Sequence, residues 1–195
     1  MSRFTVLYDG KPQGLVDWSL TGAHNANNAL SAIAAASHVN VPVTAAIEAL
    51  SRFSGIRRRM ELRGTVNGIR VFDDFAHHPT AIETTLDGLR KQVGSRRILA
   101  VLEPRSNTMK LGTMAARLPQ ALALADRIYC FGAKTGKHAL GWDPAEVFGN
   151  STVPAQGYDD LDLLVQDVSR QAQPDDVILV MSNGGFGGIH EKLLQ

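Results

Sequence analysis

The sequence has little cysteine and no long apolar run, and each shortage excludes a class of protein. Its 195 residues contain a single cysteine, Cys130, so an internal disulfide framework and a multi-cysteine zinc or iron–sulfur site are excluded. A reducing cytoplasm is therefore the expected location. No apolar run approaches the ~20 residues that a membrane-spanning helix needs. The short N-terminal run ends at Asp9, which argues against a signal peptide.

The sequence also lacks an excess of charge of either sign. Lys and Arg total 20 and Asp and Glu total 19, which gives a net charge of +1 with histidine neutral. This balance argues against a nucleic-acid partner, which a basic stripe would bind, and against a polybasic membrane anchor. Hydrophobic residues make up 44% and aromatic residues 6%, so we expect a globular chain with an aliphatic core.

The first part of the chain is predicted to contain two short strands followed by two helices. The strands lie around a turn that begins with Asp9-Gly10. The helices span about 24–37 and about 44–53. The apolar face of the second helix would consist of Ile47, Leu50 and Phe53. A change of hydrophobic period then predicts a domain boundary near 55–60.

Beyond that boundary, strands and helices alternate. Asn67-Gly68 is a strong signal for a two-residue hairpin, because both turn positions tolerate a positive φ. Apolar runs predict strands at 69–72, 98–102, 127–131 and 177–181. One helix would open with a capping box of Thr80 and Glu83, and another would turn Met114, Leu118, Leu122 and Ala125 inward. The alternation predicts an α/β fold with a mostly parallel sheet and flanking helices.

In such sheets, ligands bind at the loops beyond the carboxyl ends of the strands, which are 73–80, 103–110 and 182–188 here. The first loop contains two carboxylates and two imidazoles, which suit a metal ion, a ribose or phosphate oxygens. The second offers an arginine fork for a carboxylate, with neutral donors beside it. In the third, four glycines in five positions let a ligand approach backbone amides.

Each of these loops also has a purely structural interpretation, as a solvated strand–helix junction, a helix cap or a chain reversal. Two other segments are rejected as sites. Gly132–Lys137 resembles a P-loop but has three residues between its glycines where four are needed, and His138 stands where Ser or Thr would bind magnesium. Cys130 lies in an apolar run and is expected to be a small core residue.

Two polar segments remain ambiguous on their own. Asn25, Asn27 and Asn28 open the first long helix, although asparagine is costly inside a helix. One of them is the expected N-cap, or their carboxamides contact adenine, whose edge offers a donor and an acceptor. The basic run 57–59 is either a polyphosphate clamp or a solvated linker.

Taken together, these segments resemble the Mur ligase family, the ATP-dependent amide-bond-forming enzymes of peptidoglycan synthesis. The resemblance is carried by 22–29, 55–61 and 73–80. Segments 103–112 and 181–190 resemble most the branch that joins UDP-N-acetylmuramate to the recycled tripeptide L-Ala-γ-D-Glu-meso-diaminopimelate. The branch that adds L-alanine shares the His-His-Pro loop but not these two segments.

The resemblance implies a Rossmann-like C-terminal domain over 57–195, preceded over 1–56 by the end of the central ATP-binding domain. It implies ATP and Mg²⁺ as cofactors, with His77 as the catalytic residue on the phosphate side and the magnesium ligands mostly outside this chain. The nucleotide would be bound by His24, Asn25, Asn28, Arg58 and Asp73 or Asp74. The carboxylates of the tripeptide would be held by Arg105, Ser106, Asn107, Thr108, Ser182, Asn183 and Gly184.

The sequence departs from the family in lacking the UDP-sugar domain and the P-loop half of the central domain. We therefore expect this chain not to ligate by itself, because phosphoryl transfer needs charge neutralisation at the phosphates. Apolar residues of 1–56 would also lack cover, among them Leu30, Ile33, Ile47 and Leu50. We expect them to pack onto the second domain in a new way, to self-associate or to be loosely ordered.

Three alternatives remain. The chain could come from the L-alanine-adding branch, or it could be a binding module that holds peptide or nucleotide without turnover. A metal-dependent hydrolase could be built on Asp73, Asp74, His77 and His78. Against the hydrolase, alternate side chains of a strand point apart and cannot all converge on one ion.

Overall fold

A computed structural model describes residues 2–20, 22–136 and 139–195. The chain divides into two compact units between Arg57 and Arg58. None of the helices described in these ranges combines the length and the apolar character needed to cross a membrane.

The first unit is a hairpin followed by two helices, as the sequence predicts. Strands β1 (Arg3–Tyr8) and β2 (Lys11–Asp17) pair antiparallel around Asp9 and Gly10, which both have a positive φ. Helices α1 (Ala23–His38) and α2 (Val43–Ser51) follow. The N-cap of α1 is Gly22, without a side-chain hydrogen bond, so the prediction that an asparagine caps this helix is wrong.

The first unit has a small core of its own. The hairpin supplies Val6, Val16 and Trp18, which bury Ile33 and Ile47. The expectation that these helix faces lack cover is therefore wrong for both isoleucines, because the hairpin lies over them. Leu30 remains 43% exposed. Phe53 is also exposed, because α2 ends before it reaches that residue.

The second unit is built on a six-stranded sheet with the order β3-β4-β8-β5-β6-β7. Its strands are β3 (Glu61–Val66), β4 (Ile69–Asp74), β5 (Ile98–Leu102), β6 (Arg127–Phe131), β7 (Ala155–Tyr158) and β8 (Val177–Met181). Only β3 is antiparallel, and Asn67 and Gly68 form its hairpin turn to β4 with positive φ. The predicted α/β fold with a mostly parallel sheet is confirmed.

Helices cover both faces of this sheet, which is why every residue of β5 and β8 is buried. One face packs on α3 (Pro79–Val93), α5 (Leu118–Ala121) and α6 (Pro144–Phe148). The other packs on α7 (Leu161–Gln171) and α8 (Ile189–Leu193). Cys130 is in the core of the first face, as predicted.

Two details of these helices differ from the prediction. Helix α3 begins at Pro79 with an extended His78 as N-cap and without a side-chain cap bond, so Thr80 and Glu83 form no capping box. The predicted 103–110 loop contains a short helix, α4 (Asn107–Lys110), and the single helix predicted after it is broken into a 3₁₀ turn (Ala115–Arg117) and α5. Gly112, with φ of +77°, lies between α4 and the 3₁₀ turn.

Candidate functional site

The three polar loops emerge from adjacent strands at one edge of the sheet. In the register, Asp74 of β4 and Leu102 of β5 both pair with Met181 of β8. The chain segments that follow these residues therefore lie side by side. The pattern of alternating strands and helices is thus sufficient to bring these three loops together.

Asp73 and Asp74 are part of β4 itself and not of a loop, so their side chains point to opposite faces of the sheet. Both are almost fully buried. Asp73 contacts α8 through His190, whereas Asp74 contacts α3 through Thr85. The two carboxylates therefore cannot act together on one ion.

Asp74 organises the backbone around it. Its Oδ2 accepts a hydrogen bond from the Met60 N–H at 2.8 Å and its Oδ1 accepts one from the Ala76 N–H at 2.8 Å. Burial raises the pKa of this carboxyl, and the two backbone donors offset only part of the rise. Asp74 thus ties the chain before β3 to the loop after β4.

Asp73 is surrounded by one imidazole and two guanidinium groups. His190 Nε2 lies 3.4 Å from its Oδ1, while Arg58 Nε and Arg63 Nη1 lie 3.3 and 3.4 Å from its Oδ2. Burial alone would raise the pKa of Asp73, but His190 and Arg58 outweigh it and the pKa lies below its usual range. The carboxylate is therefore held ionised among its partners.

Arg58 connects Asp73 to the glycine-rich loop. Its Nη2 donates to the carbonyl oxygens of Ser182 and Gly184 at 2.6 and 2.7 Å. The guanidinium also lies 5.2 Å from the centre of the Phe75 ring, a cation–π distance. Arg58, predicted to approach phosphates, is thus engaged with protein groups on two neighbouring loops.

Ser182 is 1% exposed, so its hydroxyl faces the protein interior. The hydroxyl donates to Oε2 of the buried Glu103, and its oxygen accepts from the Gly184 N–H at 2.9 Å. The hydroxyl of Ser182 thus has a protein partner both as a donor and as an acceptor. Its contact with substrate stays a prediction.

Arg105 lies over Gly184, the glycine that follows Asn183 in the third loop. A side chain on Gly184 would place its Cβ 2.1 Å from Nη1 of Arg105, so the guanidinium lies directly over this glycine. The Oδ1 of Asn183 is buried without a hydrogen-bond partner. The cationic fork of Arg105 suits a ligand carboxylate, whereas the Asn183 oxygen is enclosed in the protein.

The start of α4 provides the other predicted peptide contacts. Ser106 is the N-cap and accepts from the Met109 N–H at 3.4 Å. Asn107 and Thr108 are exposed. The indole of Trp142 donates to the Met109 carbonyl at 2.7 Å and holds this turn from the far side.

His77 is half-buried in the loop after β4. Its Nδ1 lies 2.9 Å from the Phe75 carbonyl, and since a carbonyl only accepts, Nδ1 is the donor. In the neutral ring, Nε2 then carries the free lone pair. His78 serves as the N-cap of α3 without a side-chain bond.

The predicted adenine-contacting residues belong to the first unit. His24 and Asn28 are exposed on α1, and Asn25 is half-buried. The structure therefore brings together predicted residues of the second unit, and the adenine contacts stay a prediction for the first unit. Of the rejected P-loop resemblance, Lys137 and His138 lie outside the described residues.

Sequence reasoning assigned no role in the site to Glu103, His190 or Trp142, although Glu103 and His190 lie in segments that it singled out. Glu103 lies in the predicted loop, but the local sequence does not show that it is buried or that it contacts Ser182 after β8. His190 and Trp142 lie far along the chain from the groups they contact. Within the described ranges, no three or more His, Cys, Asp or Glu side chains are arranged to hold a metal ion.

Comparison with known proteins gives a consistent result. The chain is 52% identical, over 99% of its length, to the UDP-N-acetylmuramate–L-alanyl-γ-D-glutamyl-meso-2,6-diaminoheptandioate ligase of Escherichia coli (strain K12), of which it spans 42%. It is 37% identical over 85% of its length to the UDP-N-acetylmuramate–L-alanine ligase of Mycobacterium marinum, of which it spans 35%. The chain therefore spans less than half the length of these relatives.

A solved structure supports the same relationship. The crystal structure of a murein peptide ligase from Psychrobacter arcticus 273-4 matches with a TM-score of 0.75 and 48% sequence identity, over 99% of this chain and 41% of that one. Residues 58–184 match the family model described as Mur ligase, glutamate ligase domain. The chain therefore belongs to the Mur ligase family.

Proposed function

We propose that this chain is the C-terminal part of an ATP-dependent ligase that joins UDP-N-acetylmuramate to the tripeptide L-Ala-γ-D-Glu-meso-diaminopimelate in cell-wall recycling. The proposal places residues 1–56 at the end of the central ATP-binding domain and 57–195 in the C-terminal domain. The observation that carries it is the 52% identity, over 99% of this chain, to the Escherichia coli ligase whose name specifies that peptide. The cytoplasm, where ATP is available, is the proposed location.

In this proposal, the loops after β5 and β8 bind the peptide. Arg105 supplies the planar fork that pairs with a terminal carboxylate. Asn107 and Thr108 are exposed polar groups at the start of α4, while Ser106 contributes by capping that turn. Gly184 leaves room for the Arg105 guanidinium, and Asn183 lies next to this glycine in the same loop.

The nucleotide would be held from two places in the chain. Asn25, Asn28 and His24 on α1 would face adenine, since a carboxamide matches the donor and acceptor of its edge. His77, with Nδ1 fixed by the Phe75 carbonyl, would turn Nε2 to the phosphate side. Asp73, Asp74 and Arg58 contribute by setting the loops, because their polar atoms have protein partners.

The residues of this chain fit part of an ATP site. ATP, when bound with Mg²⁺, would supply the phosphoryl group that activates a substrate carboxylate towards an amine, with release of ADP. The chain carries polar groups for the nucleotide but no donor set for the metal among its described residues. In this proposal, the chain binds the peptide and orients its amine for the reaction.

A binding measurement tests the peptide side of this proposal. Isothermal titration of the 195-residue chain with the tripeptide should show binding, and Arg105→Ala should weaken it by about tenfold or more, the usual effect of losing a charged hydrogen bond. Arg117→Ala is the matched control, because Arg117 is exposed in the 3₁₀ turn outside the predicted site.

The ligand series separates the alternatives. Binding of L-alanine in preference to the tripeptide would favour the L-alanine-adding branch. The chain is 37% identical to a ligase of that branch from Mycobacterium marinum. Equal affinity of the wild type and Arg105→Ala for the tripeptide would contradict the proposed site.

A further inference from the structure

Glu103 occupies a place that the proposed peptide contacts do not explain. It follows β5 directly and is 9% exposed, while Ser182 follows β8 and is 1% exposed. The two strands are neighbours in the sheet, so the carboxylate lies under the glycine-rich loop. There it accepts a hydrogen bond from the hydroxyl group of Ser182.

We infer that Glu103 is a positioning residue that, through Ser182, sets the conformation of loop 182–185 in which the peptide binds. The inference rests on the proposed function and deepens it, since it assigns a source of order to the proposed peptide site. Glu103 itself touches Ser182 and not the ligand in this account.

The chemistry of a hydroxyl explains why the acid is needed. A serine hydroxyl has one proton to donate and lone pairs to accept. Because the hydroxyl donates its hydrogen bond to Glu103, a lone pair of Ser182 Oγ faces the Gly184 N–H, whose nitrogen lies 2.9 Å from Oγ. Without an acceptor at position 103, the hydroxyl is free to rotate and the Gly184 N–H loses a fixed partner.

Arg58 also binds the backbone of this loop. Its Nη2 donates to the carbonyls of Ser182 and Gly184, and Asp73 orients its Nε at 3.3 Å. Asn183 therefore stands between two residues whose backbone is fixed, and Gly184 is fixed where Arg105 crosses it. The loop is ordered by a buried acid on one side and a guanidinium on the other.

Amide hydrogen exchange of the ligand-free chain, followed by NMR, tests the inference first. The Gly184 amide should exchange slowly in the wild type and about tenfold or more faster in Glu103→Ala and Ser182→Ala. Glu103→Gln should restore slow exchange, because the side-chain amide keeps an acceptor oxygen at the same reach. Unchanged exchange in Glu103→Ala would overturn the inference.

A matched control separates positioning from general loss of stability. Asp167 is a similarly buried acid on α7 that contacts Tyr158 and Arg170 and no residue of the loop. Asp167→Ala should lower the melting temperature yet leave Gly184 exchange unchanged at a temperature well below melting. Equal acceleration in both variants would mean that Glu103 acts only through global stability.

Titration with the tripeptide L-Ala-γ-D-Glu-meso-diaminopimelate completes the test. Glu103→Ala should weaken binding at least fivefold, Glu103→Gln should recover most of it, and Asp167→Ala should bind as the wild type does. Faster Gly184 exchange with unchanged affinity would refute the link to the peptide. If the wild type itself fails to bind, the proposed function falls, while the exchange data still decide whether Glu103 orders the loop.

Discussion

Asp73 and Asp74 are adjacent in sequence but lie in opposite electrostatic surroundings. Asp73 faces His190, Arg58 and Arg63, and the first two lower its pKa despite its burial. Asp74 lies on the other face of the sheet, where burial raises its pKa and backbone N–H groups offset part of the rise. The sequence shows the two acids but not their burial, because which face each side chain meets depends on helices from distant segments.

The opposite pKa shifts give the two residues opposite effects on acid stability. The lowered pKa of Asp73 means that the unfolded state binds its proton first, so this residue loses its stabilising effect as pH falls from about 4 through its folded pKa. The raised pKa of Asp74 means that the folded state binds its proton first, so its cost is relieved as pH falls from the raised pKa towards about 4.

We therefore predict that Asp73→Asn makes the stability less sensitive to acid and Asp74→Asn makes it more sensitive. At pH 7, Asp73→Asn should cost ~2 kcal/mol, because it removes the carboxylate with which the partly exposed Arg58 and Arg63 guanidinium groups pair. Urea denaturation between pH 7 and pH 3 measures both effects. Parallel pH profiles for the two variants would contradict this account.

Cys130 is predicted to be chemically silent in the folded chain. It is fully buried in β6, and burial raises the pKa of its thiol well above the ordinary value. A thiol reagent such as dithionitrobenzoate should therefore label it only at the rate of unfolding, with full labelling in denaturant. Rapid stoichiometric labelling of the native chain would show that the β6 region opens easily.

At the scale of elements, apolar patterning predicted the sheet well and the polar connections poorly. β5 and β8 occupy the predicted ranges because a short, continuous apolar run suits a strand that is covered on both faces. The Asn67-Gly68 hairpin follows from local turn chemistry. The break after α4 was missed, because the Trp142 side chain that lies against Gly112 comes from outside the segment and leaves no local signal.

The candidate site shows the same division. The three loops were predicted together because parallel topology alone brings strand ends to one edge. The roles within the loops depend on side chains from neighbouring strands, such as Glu103 with Ser182 and Arg58 with the Gly184 carbonyl. No local pattern encodes such pairs.

The glycine-rich loop offers a matched pair of substitutions. A Cβ on Gly184 would meet the Arg105 guanidinium, whereas a Cβ on Gly185 would meet nothing within 4 Å. Gly184→Ala should therefore displace the flexible Arg105 side chain, weakening tripeptide binding by about tenfold, with little change in melting temperature. Gly185→Ala should leave binding nearly unchanged, and equal titration curves for the two variants would show that the Arg105 position is unimportant.

At the scale of the whole chain, the predicted site residues are divided between two units. The first unit, with its own hairpin-covered core, carries the proposed adenine contacts on α1. The second carries the proposed peptide loops. We expect the 195 residues not to ligate alone, because they contain no P-loop, and incubation with ATP, UDP-N-acetylmuramate and tripeptide should release no ADP.

The most direct test of the central claim is a chimera in which this chain replaces the segment of the Escherichia coli ligase to which it aligns, 194 residues at 52% identity. The chimera should release ADP in a reaction that requires UDP-N-acetylmuramate and the tripeptide, and Arg105→Ala in the chimera should raise the KM for the tripeptide more than that for ATP. A folded chimera that couples L-alanine, or that releases no ADP with either amine, would contradict the proposal that this chain is the peptide-binding part of the recycling ligase.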